Sequence, residues 1–217
     1  TVVWEYYGST EGAIISTISS EDWLRKGGSV GRPAPTTEVV VVDDDGNRLG
    51  PGADGTLYFR NALGMDFEYH GDPGKTANAH LEAGLFTTGD VGHLDDEGFL
   101  WLSDRRIDMI ISGGVNIYPA EIEGVLAAHP AVADVAVIGV PDDEWGESVK
   151  ALVEVSAGVR PSAALSDDLV AHCRAHLAGY KAPRSIEYVE GIPRTATGKI
   201  QKGPLRAPYW EGRARRL

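Results

Sequence analysis

The 217 residues carry 32 acidic against 20 basic side chains, a formal net charge of -12, and 42% are hydrophobic. A surface that negative repels nucleic acid and anionic membrane wherever basic residues do not cluster, and no apolar run approaches the ~20 residues of a membrane span. The single cysteine, Cys173, excludes an internal disulfide and fits a reducing compartment, and no basic-then-apolar leader opens the chain, so a cytoplasmic location is expected.

Residues 2–6 form an extended apolar and aromatic run, expected as a strand, and the chain opens inside it as part of a longer polypeptide would. The run ends in Tyr7-Gly8-Ser9-Thr10-Glu11-Gly12. The hydroxyls of Ser9 and Thr10, with freed backbone amides, suit a phosphate oxygen, and Glu11 suits a Mg²⁺ that bridges phosphates. A plain loop with a helix cap is the other reading of the same residues.

From 30 to 104 the pattern is β. Four consecutive valines lie within 37–43, residues 55–60 alternate, and Asp95-Asp96-Glu97-Gly98 joins two short runs as a hairpin. A small barrel-like sheet is expected, with Asp43-Asp44-Asp45 as a solvated turn, because calcium-loop spacing is absent. Within it, Thr88-Gly89-Asp90 puts a carboxylate after a glycine, where it can accept from vicinal ribose hydroxyls.

Asp104-Arg105-Arg106 closes this region, and Met109-Ile110-Ile111 is short enough for a strand. Gly113 and Gly114 break it, and Pro119 opens an amphipathic segment, so strand, glycine turn, helix is expected. Beyond lie strands over 132–140 and 148–155, a helix over 165–177 and a last strand over 186–189. His172 and His176, four apart, lack further ligands at a recognisable metal spacing and read as a solvated face. In Pro193-Arg194-Thr195-Ala196-Thr197-Gly198-Lys199-Ile200 the glycine spacing and the residue after the lysine exclude a Walker A loop. What remains is a lysine on a flexible, threonine-rich loop, suited to bring a point charge to a carboxylate and phosphate.

Four of these stretches, in this order, resemble the motifs of the adenylate-forming superfamily, which holds acyl- and aryl-CoA synthetases, luciferases and peptide-synthetase adenylation domains. They are Tyr7 to Glu11, Thr88-Gly89-Asp90 with Arg105, the joint from Ser103 to Glu123, and the Gly198-Lys199 loop. The resemblance implies an α+β, mixed fold. Residues 1–104 would be the β-rich, distorted-barrel end of a large nucleotide-binding domain, 105–108 a hinge and 109–217 a mobile α+β lid.

It also implies ATP, Mg²⁺ and CoA as co-substrates of a carboxylic acid, with a fatty acid favoured, acting through an acyl-adenylate. Tyr7 would lie against adenine, Gly8, Ser9 and Thr10 by phosphate, Glu11 on Mg²⁺, Asp90 and Arg105 on ribose, and Lys199 would drive adenylation. The hinge, an Asp or Lys in the family, is here Ile107 or the following Asp108. Gly113 and Gly114 would line the pantetheine channel. Trp145, Lys181 and Arg184 would meet the CoA nucleotide, or else are surface side chains. With no carrier segment after Leu217, free CoA is expected as the thiol. The family's phosphate loop and acyl pocket belong to an N-terminal part not in these residues, so the 217 residues alone are expected to be inactive. A stand-alone binding module is the non-enzyme alternative.

Overall fold

The computed structural model describes residues 2–213, in two compact units, Thr1–Arg106 and Ile107–Leu217. In the first, β1 (Trp4–Ser9) and β2 (Ala13–Ser19) lead through α1 (Ser20–Arg25) to β3 (Ser29–Pro33), β4 (Thr37–Val42) and β5 (Gly55–Asn61). Then come α2 (Pro73–Ala79), β6 (His80–Glu82), β7 (Leu85–Phe86), β8 (Asp90–Leu94) and β9 (Leu100–Arg105). They form one sheet in the order β1-β2-β3-β9-β8-β5-β7-β6, with β4 on β5.

The sheet is open, which corrects the expected barrel. Closure requires the first and last strands of the path to pair, and here the path runs out into β7 and β6, of two and three residues. Register shifts at Tyr7/Gly8, Ser29/Gly31 and Val91/Gly92 turn the strands further. Ile15, Leu57, Phe59, Phe86 and Leu100 make the main core. The valine run is buried on both faces. Val41 joins that core, while Val40 and Val42 pack with Leu85, so the run is continuous rather than alternating.

The strand that starts the unit continues through Tyr7, Gly8 and Ser9 before it turns. At Gly8 a Cβ would sit 2.0 Å from the carbonyl oxygen of Ala13, so only glycine lets the two strands approach there.

In the second unit β10 (Ile110–Ser112) and β11 (Val115–Ile117) precede α3 (Pro119–Ala127). Next follow β12 (Val132–Asp142), β13 (Gly146–Val155), α4 (Ala163–His176), β14 (Ser185–Tyr188) and α5 (Lys202–Arg206). The expected glycine turn straight into a helix is therefore corrected to a hairpin and then a helix. Gly113 and Gly114, at φ 58 and 80, reverse the chain so that Ser112 faces Val115.

The sheet runs β11-β10-β13-β12, with β14 parallel to β13. Val135 and Val137 of β12 face α3 and α4 with Ile110, Ile122, Leu126, Leu169 and Cys173. Ala136, Ile138 and Val140 face the other way, onto Ile192 and Leu205. Each fully buried aliphatic side chain contributes about 1.5–3 kcal/mol, so both faces of β12 are held. Ser162 caps α4, accepting from the Leu165 amide at 3.1 Å. Among the described residues no helix is long and apolar enough to cross a membrane.

Candidate active site

In the first unit β1, β8 and β9 converge with the loop that carries Thr88. Asp90 opens β8 directly opposite Arg105, the last residue of β9. Its Oδ2 accepts from the Tyr7 hydroxyl at 2.5 Å and from the Thr88 hydroxyl at 2.7 Å. On the other side, Arg105 Nε lies 3.5 Å from Oδ1, and Arg105 Nη2 donates to the Thr88 carbonyl at 3.0 Å. A carboxylate offers about four acceptor directions. The two hydroxyls occupy those of Oδ2, and Oδ1 and Arg105 are presented together, the arrangement a vicinal diol needs.

Burial, and then the charge of Asp90, push the Tyr7 phenol well above its ordinary value, so it stays a donor. Its ring meets Phe59 edge-on at 6.3 Å, which holds the hydroxyl in place.

Glu11 sits in the β1–β2 turn. Burial works to raise its carboxyl, but the Thr10 hydroxyl at 2.9 Å from Oε2, local backbone and the Tyr69 hydroxyl at 3.3 Å from Oε1 outweigh it and hold the group below its ordinary value. An ionised carboxylate beside a threonine hydroxyl has the donor chemistry of a Mg²⁺ ligand. Mg²⁺ takes one or two carboxylates and completes its shell with phosphates and water, so one such ligand fits. Ser9 has another task, since its Oγ accepts from the Gly12 amide at 2.9 Å and closes the turn. Tyr69 went unnoticed in the sequence because it lies in an irregular loop outside any motif. Only folding brings it 58 positions back to Glu11.

In the second unit Gly113, Trp145 and Arg184 are brought together. The Gly113 amide donates to the Trp145 carbonyl at 2.8 Å, and a Cβ on Gly113 would lie 2.6 Å from the indole. Arg184 stacks 5.0 Å from the Trp145 ring centroid. The amide of Trp145, then that of Glu144, both bonded to Asp142, hold the Asp142 carboxyl below its usual range and fix the turn. Gly114 has open space around it. Lys181 points elsewhere, to Glu121 at 2.6 Å. Beside Arg184 a groove of about 1020 Å³ runs between α4 and residues 179–184, with Arg174 and Tyr180 on its walls.

Ile107 is exposed, whereas the Asp108 carboxylate is 3.3 Å from Arg206 Nη1, which also donates to the Ile107 carbonyl at 3.0 Å. Lys199 is exposed at the end of a self-closed turn in which the Thr195 amide donates to the Lys199 carbonyl at 2.8 Å. His172 Nε2 lies 3.1 Å from the Val125 carbonyl, and His176 Nδ1 lies 2.8 Å from that of His172.

The first unit thus holds a carboxylate and a guanidinium presented together and an ionised acid beside a threonine hydroxyl, and the second unit holds an exposed lysine on a glycine turn. Residues 1–66 match the AMP-binding enzyme family and residues 121–199 match the AMP-binding enzyme C-terminal domain, and the chain belongs to this adenylate-forming family. It is 44% identical over 192 residues to long-chain-fatty-acid–CoA ligase FadD13 of Mycobacterium tuberculosis, covering 88% of this chain and 37% of that protein.

Among solved structures it resembles the amide bond synthetase McbA from Marinactinospora thermotolerans, with 39% identity and a TM-score of 0.83 over 95% of this chain and 42% of that one. It also resembles the o-succinylbenzoate CoA synthetase MenE from Bacillus subtilis in complex with an acyl-adenylate, with 36% identity and a TM-score of 0.83 over 94% and 40% of the two chains. The chain thus spans about two-fifths of the length of the relatives it matches.

Proposed function

We propose that these residues are the C-terminal portion of an ATP-dependent acyl-CoA synthetase that makes an acyl-adenylate and then a CoA thioester. The observation that carries the reading is the Asp90 carboxylate, held on one oxygen by Tyr7 and Thr88 and presented with Arg105 on the other. Asp90 and Arg105 take the ribose, and Thr10 lies by the phosphates. Mg²⁺ held by Glu11 would neutralise phosphate charge.

In the first step a substrate carboxylate oxygen bonds to the α-phosphorus and pyrophosphate leaves with the electron pair. Lys199 stabilises the charge on the phosphoryl oxygens, an interaction whose loss costs about 3 kcal/mol in comparable sites. In the second, the CoA thiol gives up its proton, its sulfur bonds to the acyl carbon and AMP departs. Residues 105–108 serve as the hinge between the two steps, with exposed Ile107 as the pivot, and Gly113 and Gly114 line the thiol's path. Trp145 and Arg184 stack on and pair with the CoA nucleotide. A fatty acid is the favoured substrate, in keeping with the long-chain ligase among the relatives.

The test is an AMP-release assay on the intact protein with a panel of carboxylic acids, with and without CoA. CoA-dependent AMP and thioester are expected with an aliphatic acid, and no turnover by residues 1–217 alone. Failure of every acid to drive pyrophosphate exchange would overturn the reading. The amide bond synthetase among the structural relatives supports a second reading, with an amine as acceptor. AMP release driven by an amine in place of CoA would select it.

A further inference from the structure

The loop that carries Lys199 is tied to β12 by a charged clamp. Arg194 donates in fork geometry to Asp134, with Nη2 at 2.7 and 2.8 Å from the two carboxylate oxygens and Nε at 3.3 Å. The same guanidinium donates through Nη1 to the Gly198 carbonyl at 2.7 Å, one residue before the lysine. The loop closes on itself as well. The Lys199 amide donates to Thr195 Oγ1 at 3.1 Å, the Gln201 amide to the Pro193 carbonyl at 2.9 Å, and Gly198 takes a φ of 86. On the far side of Lys199 the Lys202 ammonium, 8% exposed, meets Glu123 at 2.9 Å, and Glu123 also accepts the Val137 amide at 2.7 Å. Lys199 is therefore exposed on a loop gripped on both sides.

We propose that Arg194 and Asp134 are positioning residues for Lys199, a clamp that fixes the loop's backbone so that the ammonium reaches the phosphoryl group already oriented. This rests on the adenylation reading above. A guanidinium engaged through all three of its nitrogens, two on Asp134 and one on the Gly198 carbonyl, has one geometry, which a lysine's point charge cannot reproduce. A misplacement of about 1 Å in a reacting group costs as much as ~100-fold in rate, so the clamp acts on the adenylation step rather than on nucleotide affinity.

The test is Asp134→Asn in the intact protein, with Asp134→Glu and Arg194→Lys beside it. Hydrogen exchange at 194–200 is expected to rise in Asp134→Asn. The kcat of pyrophosphate formation should fall about tenfold with the KM for ATP nearly unchanged, a smaller loss than full misplacement because the turn's own hydrogen bonds remain. Thioester formation from supplied acyl-adenylate should hold its rate. Asp134→Glu should recover most of the activity and Arg194→Lys should not. Unaltered loop exchange, or equal loss of both half-reactions with a lowered melting temperature, would overturn the clamp. A wild-type protein that releases no pyrophosphate would sink the adenylation reading, and the proposal with it, whatever the loop does.

Discussion

Tyr7 and Asp90 lie 83 positions apart and share a 2.5 Å hydrogen bond, phenol to carboxylate. The bond joins β1 to the start of β8 and sets which Asp90 oxygen is left toward Arg105. Tyr7→Phe removes one donor and keeps the ring against Phe59. A hydrogen bond to a charged group is worth about 1.5–3 kcal/mol, and Thr88 retains part of the cradle. A loss of about 1–2 kcal/mol in unfolding free energy is expected, with about tenfold weaker AMP binding by calorimetry in the intact protein. Unchanged AMP affinity would show that the phenol serves folding alone.

The two turn glycines should behave differently. At Gly113 any side chain meets the Trp145 ring as well as an unfavourable φ, whereas at Gly114 only the backbone term of about 1–2 kcal/mol applies. Denaturant titration should rank Gly113→Ala as the more damaging. In the intact protein, Gly114→Leu should spare adenylate formation and block thioester formation. Equal loss of both steps would count against two orientations.

Asp108 and Ile107 separate a structural role from a hinge role. The Asp108 and Arg206 side chains are 19% and 14% exposed, so Asp108→Asn removes a charged acceptor from a partly buried guanidinium that keeps its bond to the Ile107 carbonyl, and should cost about 1–2 kcal/mol. Ile107→Ala, on an exposed side chain, should change stability by less than ~0.5 kcal/mol. Should Ile107→Ala alter the ratio of the two half-reaction rates at unchanged melting temperature, Ile107 is the pivot; an unaltered ratio removes it.

Burial pushes the Cys173 thiol from its ordinary 9.0 up to about 11. The folded protein binds that proton more tightly than the unfolded chain does. The contribution to stability is therefore complete below pH 9 and declines as pH rises from 9 towards 11, by at most ~1.4 kcal/mol per pH unit. The stability gap between wild type and Cys173→Ala should narrow over that window. At pH 8 a thiol reagent should label the native protein only at the rate of unfolding, and immediate stoichiometric labelling would refute the buried thiol.

Much of this was legible in the linear chain because the signals are local. Gly113-Gly114 and Gly198 each sit where the backbone takes positive φ, and their identity alone announces a turn. The long strands β12 and β13 and the helix α4 carry patterns long enough to read. The helices α1, α2 and α5, of six, seven and five residues, lie below the length at which apolar periodicity can be seen. The strand β11 hid because it is three residues long and follows the glycines directly.

The sequence by itself determined which residue types are present and where the local turns fall. The hydroxyls and carboxylate of the Tyr7 to Glu11 turn, the carboxylate of Asp90 and the ammonium of Lys199 are readable from residue identity alone. Only the tertiary structure decided the pairings: Tyr7 with Asp90, Tyr69 with Glu11, Arg184 over Trp145 while Lys181 turns to Glu121, and Arg194 on Asp134. A hydrogen bond or ion pair between residues some 40 to 80 positions apart costs loop-closure entropy that local sequence does not encode. It forms where the buried faces of strands such as β8 and β12 have already brought the backbone together, so the partners are chosen by packing and not by neighbourhood in the chain.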